Sequence, residues 1–317
     1  MSFETPTNFF HILGDKYNEA VSNSKIFFNG SSATNEVVHQ LLGDSTVDFQ
    51  YTLLHSLQHR PETGSIEKNP FAKPEPELTV LDSYGPNEEF KIVLNKFPVV
   101  AQHFMIVTKE FKSQDSPLSP SELQGTYIIL QSLKASDKQN DWFAFYNCGP
   151  QSGASQPHKH IQFMSLPNKE DFVPFAEQLI MRSAAFLPNS QQEPLQNADI
   201  PFAHFVARLP EQHQLQEGEL ALYFASLLQR ALTVSRRNEA EHISYNFICT
   251  TKYMMIVPRS NGKYKNSLGI NSCGVLGLFL CKNEEILDLV KKDGPETILQ
   301  HCGFPNTAGQ GSDEYHY

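Results

Sequence analysis

Residues Trp142 to Leu166 read "WFAFYNCGPQSGASQPHKHIQFMSL", two runs of strand character joined by a connection of small and polar residues. The runs "WFAFYN" and "HIQFMSL" predict neighbouring strands. Side chains on a strand alternate between faces, so His158, His160 and Gln162 share one face, about 7 Å apart in successive steps, while Lys159, Ile161 and Phe163 take the other. The connection "GPQSGAS" lacks bulk at Gly149, Gly153 and Ala154. Its successive amides can form an anion-binding nest, to which Ser152 and Ser155 add donors.

Three readings of the histidine pair compete. With twelve histidines in 317 residues, roughly 0.5 H-x-H pairs arise by chance, so the spacing alone decides nothing. A metal centre needs a third ligand, and "FMSLP" after Gln162 offers no carboxylate before Glu170, although His103 could be brought in from elsewhere. A nucleophile fits the neighbouring loop: phosphate held by backbone amides would be presented to an imidazole whose ordinary pKa, about 6.5, leaves a lone pair near neutrality.

Outward from this stretch, "FKIVL" (Phe90 to Leu94) and "FMIVT" (Phe104 to Thr108) predict an antiparallel pair on either side of Pro98. Ser119-Pro120-Ser121-Glu122 has the order of a capping box, with proline at the first helical position. Leu123, Tyr127, Leu130 and Leu133 then predict one helix to about Lys134. The order returns downstream: a strand in "FAHFVARL", a helix from Glu219 to Arg236, and a hairpin of "ISYNFICT" with "YMMIVP" across Thr251 and Lys252. Tyr146-Asn147 recurs as Tyr245-Asn246. The expectation is an α+β chain with mainly antiparallel sheet, built of two related units over residues 1–180 and 181–317. Only the first unit carries the pair, because Thr251-Lys252-Tyr253 stands where His158-Lys159-His160 would fall. The proline-rich segment Arg60 to Leu78 reads as an extended surface connection.

Composition narrows the function. A net charge of −10 opposes a broad nucleic-acid surface, but not a small anion in a local pocket. No run of about 18 apolar residues and no signal-peptide pattern is present, so neither membrane insertion nor secretion is expected. Five scattered cysteines without C-x-x-C fit reduced thiols and a cytoplasmic protein, with the nucleus as an alternative compartment.

Three spaced segments, "LNKFPVVAQHFMIVT", "YNCGPQSGASQPHKHIQ" and "CGFPNTAGQ", resemble the fungal diadenosine tetraphosphate phosphorylases, also called ATP adenylyltransferases, of the histidine-triad superfamily. The likeness runs over nearly the whole chain, including "NPFAKPEPELTV" and "VPRS". The resemblance implies a histidine-triad-like fold in the galactose-1-phosphate uridylyltransferase-like branch, with His160 as nucleophile, His158 as its orienting partner and Gln162 in place of the third histidine. It implies that Asn95 and Lys96 contact the nucleotide, that Asn147, Gly153, Ala154, Ser155 and Gln156 cradle phosphate, and that Asn271, Ser272, Cys273, Leu278 and Lys282 contact the second nucleotide portion. Arg60 falls where the family places a phosphate-contacting lysine, exchanging a point charge for a planar fork. The implied reaction is reversible: diadenosine tetraphosphate and phosphate give ATP and ADP through an adenylyl-histidine. The expected partners are dinucleoside polyphosphates, ATP, ADP and phosphate, with no nucleic acid and no membrane. No tightly bound cofactor and no metal site of protein ligands are expected, a divalent cation such as Mg2+ can accompany the nucleotide, and a monomer is expected because both units lie in one chain. The rivals are a uridylyltransferase-like enzyme with another base pocket, a metal-dependent H-x-H enzyme and a nucleotide-binding regulator without turnover.

Overall fold

The computed structural model describes residues 3–28, 30, 33–59, 69–189, 191–216 and 218–310. Helix α1 (Phe9–Ser22) precedes a hairpin of β1 (Thr34–Leu42) and β2 (Ser45–Leu53). Then come β3 (Thr79–Tyr84), β4 (Phe90–Leu94), β5 (Phe104–Thr108), α2 (Pro120–Ser136), β6 (Trp142–Cys148), β7 (His160–Ser165) and α3 (Phe175–Ile180). The second half holds β8 (Phe205–Arg208), α4 (Glu219–Arg237), β9 (Tyr245–Cys249), β10 (Tyr253–Pro258), β11 (Lys263–Tyr264) and β12 (Leu268–Gly269). It ends with α5 (Ser272–Leu276), β13 (Leu278–Cys281), α6 (Glu284–Asp293) and α7 (Pro295–Cys302).

Eight strands form one sheet in the order β3-β4-β5-β7-β6-β9-β10-β8, antiparallel throughout, so the α+β class expected from the sequence is the one adopted. The two Tyr-Asn steps lie at the join of the halves: β6 pairs with β9, and Asn147 stands opposite Asn246. A smaller sheet, β1-β2-β13, includes a parallel pairing of β13 with β2. The segment "GINSCGVLGLFLCK", readable as a plain buried strand, instead forms the short helix α5, a turn at Gly277 (φ +105°) and then β13.

The sheet separates two apolar layers. Ile161 and Phe163 face the layer that holds α1, α2 and α4, whereas Met164 and Phe145 face the one that holds β2, α5 and β13. The capping box forms as its residues dictate, with Ser119 Oγ accepting from the Glu122 amide and the Glu122 carboxylate accepting from the Ser119 amide at 2.7 Å. The same carboxylate pairs with Lys159 at 2.8 Å, with both side chains buried. Lys159 therefore anchors the histidine strand to the start of α2 from the face opposite the imidazoles. Removing one member of such a pair strands the other charge, at a cost of about 3–5 kcal/mol.

The expectation of a surface connection from Arg60 to Leu78 is corrected in part. Arg60 lies outside the described residues, but Asn69 and Phe71 fold inward onto the histidines and Pro76–Leu78 forms a 3-10 turn. An extended proline-rich chain still covers apolar surface when one large ring along it has a cavity to fill.

Candidate active site

Each imidazole is held in one tautomer by its neighbours. The Thr108 carbonyl oxygen lies 2.8 Å from His158 Nε2 and can only accept, so Nε2 carries the hydrogen. Nδ1 of the same ring then accepts from Asn69 Nδ2 at 2.8 Å. Burial holds His158 below the ordinary histidine range, and the ring is a neutral, immobilised strut. His160 is turned by the same logic: its Nδ1 donates to the His158 carbonyl at 2.8 Å, which makes Nε2 the lone-pair nitrogen. The Phe71 ring packs over His160 with centroids 4.9 Å apart.

The backbone beneath is fixed by a buried glutamine that the sequence did not single out. Gln114 Oε1 accepts from the His160 amide at 2.8 Å, and its Nε2 donates to the Asn147 carbonyl at 2.8 Å. One side chain thus holds the end of β6 against the start of β7. On the same face as His160, Gln162 Oε1 accepts from His103 Nε2 at 3.0 Å, and Asn95 Nδ2 reaches His103 Nδ1 at 3.4 Å. With its oxygen engaged, the Gln162 carboxamide turns its amino group to the remaining direction. Asn95 Oδ1 accepts from the Phe97 amide, so Asn95 acts here through His103. Lys96 pairs with Glu75 at 2.5 Å near the surface.

The connection from Gly149 to Lys159 is packed rather than loose. Gly149 (φ +87°) and Gly153 (φ +79°) adopt left-handed backbone, and a Cβ at Gly153 would stand 2.5 Å from the Ile270 carbonyl oxygen. The second half braces this loop with a buried donor chain. Arg259 Nη1 donates to Asn246 Oδ1, and Asn246 Nδ2 donates at 2.8 Å to both Asn147 Oδ1 and the Ser152 carbonyl. Asn147 Oδ1 also accepts from Ser272 N at 3.0 Å and Ser272 Oγ at 2.7 Å. Its oxygen is therefore consumed by structure, leaving the Nδ2 donor of Asn147 for other use. The Arg259 guanidinium is completed by the Cys302 and Asn261 carbonyls. Burial lowers its pKa to about 10.

Beside the loop opens a cavity of about 790 Å³, within the range of nucleotide-sized pockets. Gly153, Ala154, Ser155, Asn271, Leu278 and Lys282 line it. Ser272 and Cys273 lie buried behind its wall, and Gln156 carries a buried side-chain oxygen with no hydrogen-bond partner among the described residues. His160 and Gln162 are not in that wall; they lie on the Asn147 face of the sheet, where Phe71 packs over His160. Among the described residues no group of three or more His, Cys, Asp or Glu is placed to hold a metal ion, and no helix is long and apolar enough to cross a membrane. The five cysteines are buried, and none is joined in a disulfide.

Comparison with known proteins agrees with this architecture. The profile of the Ap4A phosphorylase N-terminal domain matches residues 29–182, and that of the ATP adenylyltransferase C-terminal domain matches residues 198–305. Diadenosine 5',5'''-P1,P4-tetraphosphate phosphorylase 2 of Saccharomyces cerevisiae is 43% identical over 292 residues, covering 86% of this chain and 89% of the relative. Protein APA1 of the same species is 37% identical over 326 residues, covering 98% and 99%. The crystal structure of yeast Ap4A phosphorylase Apa2 superposes with a TM-score of 0.86 at 38% identity, covering 99% of this chain and 100% of that one. That protein in complex with Ap4A gives a TM-score of 0.84 at 37% identity, covering 96% and 100%.

Proposed function

The chain belongs to the Ap4A phosphorylase family, whose members are also described as ATP adenylyltransferases, and from that premise we propose how its residues carry out the reversible phosphorolysis of diadenosine tetraphosphate to ATP and ADP. The observation that carries the mechanism is the tautomer of His160. With the hydrogen on Nδ1 and directed at the His158 carbonyl, the lone pair sits on Nε2. Nε2 attacks the α-phosphorus of one adenosine, the P–O bond to the remaining triphosphate breaks, and ATP departs, leaving AMP on His160. The positive charge that develops on the ring is stabilised through Nδ1–H by the His158 carbonyl, whose position is set in turn by the Thr108 and Asn69 contacts of the His158 ring. A phosphate oxygen then attacks the same phosphorus, the N–P bond breaks and ADP leaves.

Charge on the equatorial oxygens calls for fixed donors. The amides of Gly153, Ala154, Ser155 and Gln156, the amino groups of Gln162 and Asn147, and the Lys282 ammonium at the cavity supply them, and the cavity takes the second nucleotide portion past Asn271. Ser272 and Cys273 shape this end from behind, while Asn95 acts by orienting His103. We assign no resident cofactor; a divalent cation such as Mg2+ would enter with the substrate phosphates. A monomer in the cytoplasm is the setting consistent with both units lying in one chain. Protein mixed with diadenosine tetraphosphate in phosphate-free buffer should gain the mass of AMP on His160. Addition of phosphate should discharge it as ADP. Discharge as AMP in excess phosphate would mark a hydrolase, and label on any other residue would remove His160 from the role.

A further inference from the structure

We propose that Lys263 is a specificity-determining residue that acts with Lys282 to hold the outer phosphates of the departing ATP portion; this rests on the reading above and adds a residue to it. Among the described residues the cavity of about 790 Å³ beside the phosphate loop has two charged side chains in its wall, Lys263 and Lys282, and no carboxylate. The chain as a whole holds 35 acids to 25 bases, so the sign inside this cavity is opposite to that of the molecule. A second cavity, of about 240 Å³ near Trp142, shows the contrast: Asp137, Asp141 and Glu177 line it together with four lysines. A polyphosphate entering the larger cavity meets two cations and no carboxylate to repel it.

The β11–β12 hairpin explains how Lys263 comes to face that space. Side chains alternate along β11, so Lys263 points away from Tyr264, which is buried in the core. Its cross-strand partner is Gly269, where an added Cβ would meet no atom within 4 Å, so open space lies beside the lysine. The preceding residue clamps the phosphate loop: the Gly262 amide donates to Gln151 Oε1 at 2.9 Å, and the Gly262 carbonyl accepts from the Ile270 amide at 3.0 Å. Lys265, two residues on, pairs with Asp293 at 2.7 Å, whereas the Lys263 ammonium has no ion pair or hydrogen bond among the described residues. A lysine ammonium brings three donors and a point charge, which suit phosphate oxygens. In an in-line displacement the leaving oxygen departs on the side of the phosphorus opposite the nucleophile. The cavity fits that side, because Gly153, Ala154 and Ser155 of the cradle are in its wall and His160 is not.

Two assays at low ionic strength separate the departing portion from the adenylyl group that His160 takes. The first is phosphorolysis of diadenosine tetraphosphate, which needs the ATP portion held. The second is exchange of labelled phosphate into ADP without ATP or dinucleotide; it runs the phosphate step back and forth through the adenylyl-protein and leaves the outer phosphate positions empty. Lys263→Gln should raise the KM for diadenosine tetraphosphate about tenfold, the usual scale for losing one charge-assisted hydrogen bond, with kcat and the exchange rate within about twofold of the parent. Lys263→Arg, which keeps the charge, should recover most of the loss. An unchanged KM in Lys263→Gln, or exchange impaired as much as phosphorolysis, would overturn the proposal. A parent protein that exchanges no phosphate into ADP would instead refute the adenylyl-histidine reading, and this is seen before any variant is compared.

Discussion

The β6–β7 and β9–β10 hairpins lie side by side in one sheet, yet the first connects through residues 149–159 and the second through residues 250–252. The long connection makes a glycine-turned cradle and delivers two imidazoles to the strand that follows. The short one closes on Thr250, whose Oγ1 accepts from the Lys252 and Tyr253 amides, and its strands carry Met255 and Val257 into the core. The second hairpin contributes by bracing: Asn246 and Arg259 hold Asn147 and the Ser152 carbonyl in place. Two neighbouring hairpins thus differ in the length of one connection: the longer one carries the imidazoles, and the shorter one serves as scaffold.

A parallel contrast exists between imidazoles. His204, in the second half, donates from Nδ1 to the Phe202 carbonyl two residues back at 2.8 Å, just as His160 does to His158. Its Nε2 accepts from the Asn197 amide at 2.9 Å, so its lone pair is spent on the backbone. Burial lowers the His204 pKa to about 4.

If only the first hairpin is chemical, His160→Ala should abolish turnover, by at least about 10³-fold, with an unchanged circular dichroism spectrum. Activity surviving in that variant would break the contrast outright. Gln162→Ala should slow turnover by about 10²- to 10³-fold, which stopped-flow rates would check, and should also cost about 1–3 kcal/mol of stability because the His103 donor loses its acceptor. For the structural imidazole the effect is on folding. His204 binds its proton less readily folded than unfolded, so its contribution is present above about pH 6.5 and disappears as pH falls toward 4, up to about 3 kcal/mol. Urea unfolding at pH 7 and pH 4.5 should show a smaller loss for His204→Gln than for the parent; equal losses would contradict the assignment. Smallest is Asn246→Ala, which leaves Asn147, the Ser152 carbonyl and Arg259 short of partners and should cost about 1–3 kcal/mol, with a raised KM for phosphate. A stability loss without any KM change would show that the brace is not transmitted to the cradle.

Local chemistry made much of the fold legible. The strands Phe90–Leu94 and Phe104–Thr108 and the Ser119 capping box lie where pattern and turn residues put them, because alternation and capping act within a few residues. The β1–β2 hairpin and the conversion of "INSCGVL" into α5 were not legible, since β2 is completed by pairing with the distant β13 and α5 is held by the contact of Ser272 with Asn147.

From the sequence alone came the H-x-H-x-Q strand, its preceding glycine loop and the family to which they point. Tertiary structure alone decided which ring nitrogen of His160 holds the lone pair, and that Asn69, Phe71 and Gln114 surround it. Asn69 is 89 residues from the histidine it contacts and Gln114 is 46 from His160. No local pattern encodes such pairings, because each arises only when the sheet has brought distant backbone segments within hydrogen-bonding range.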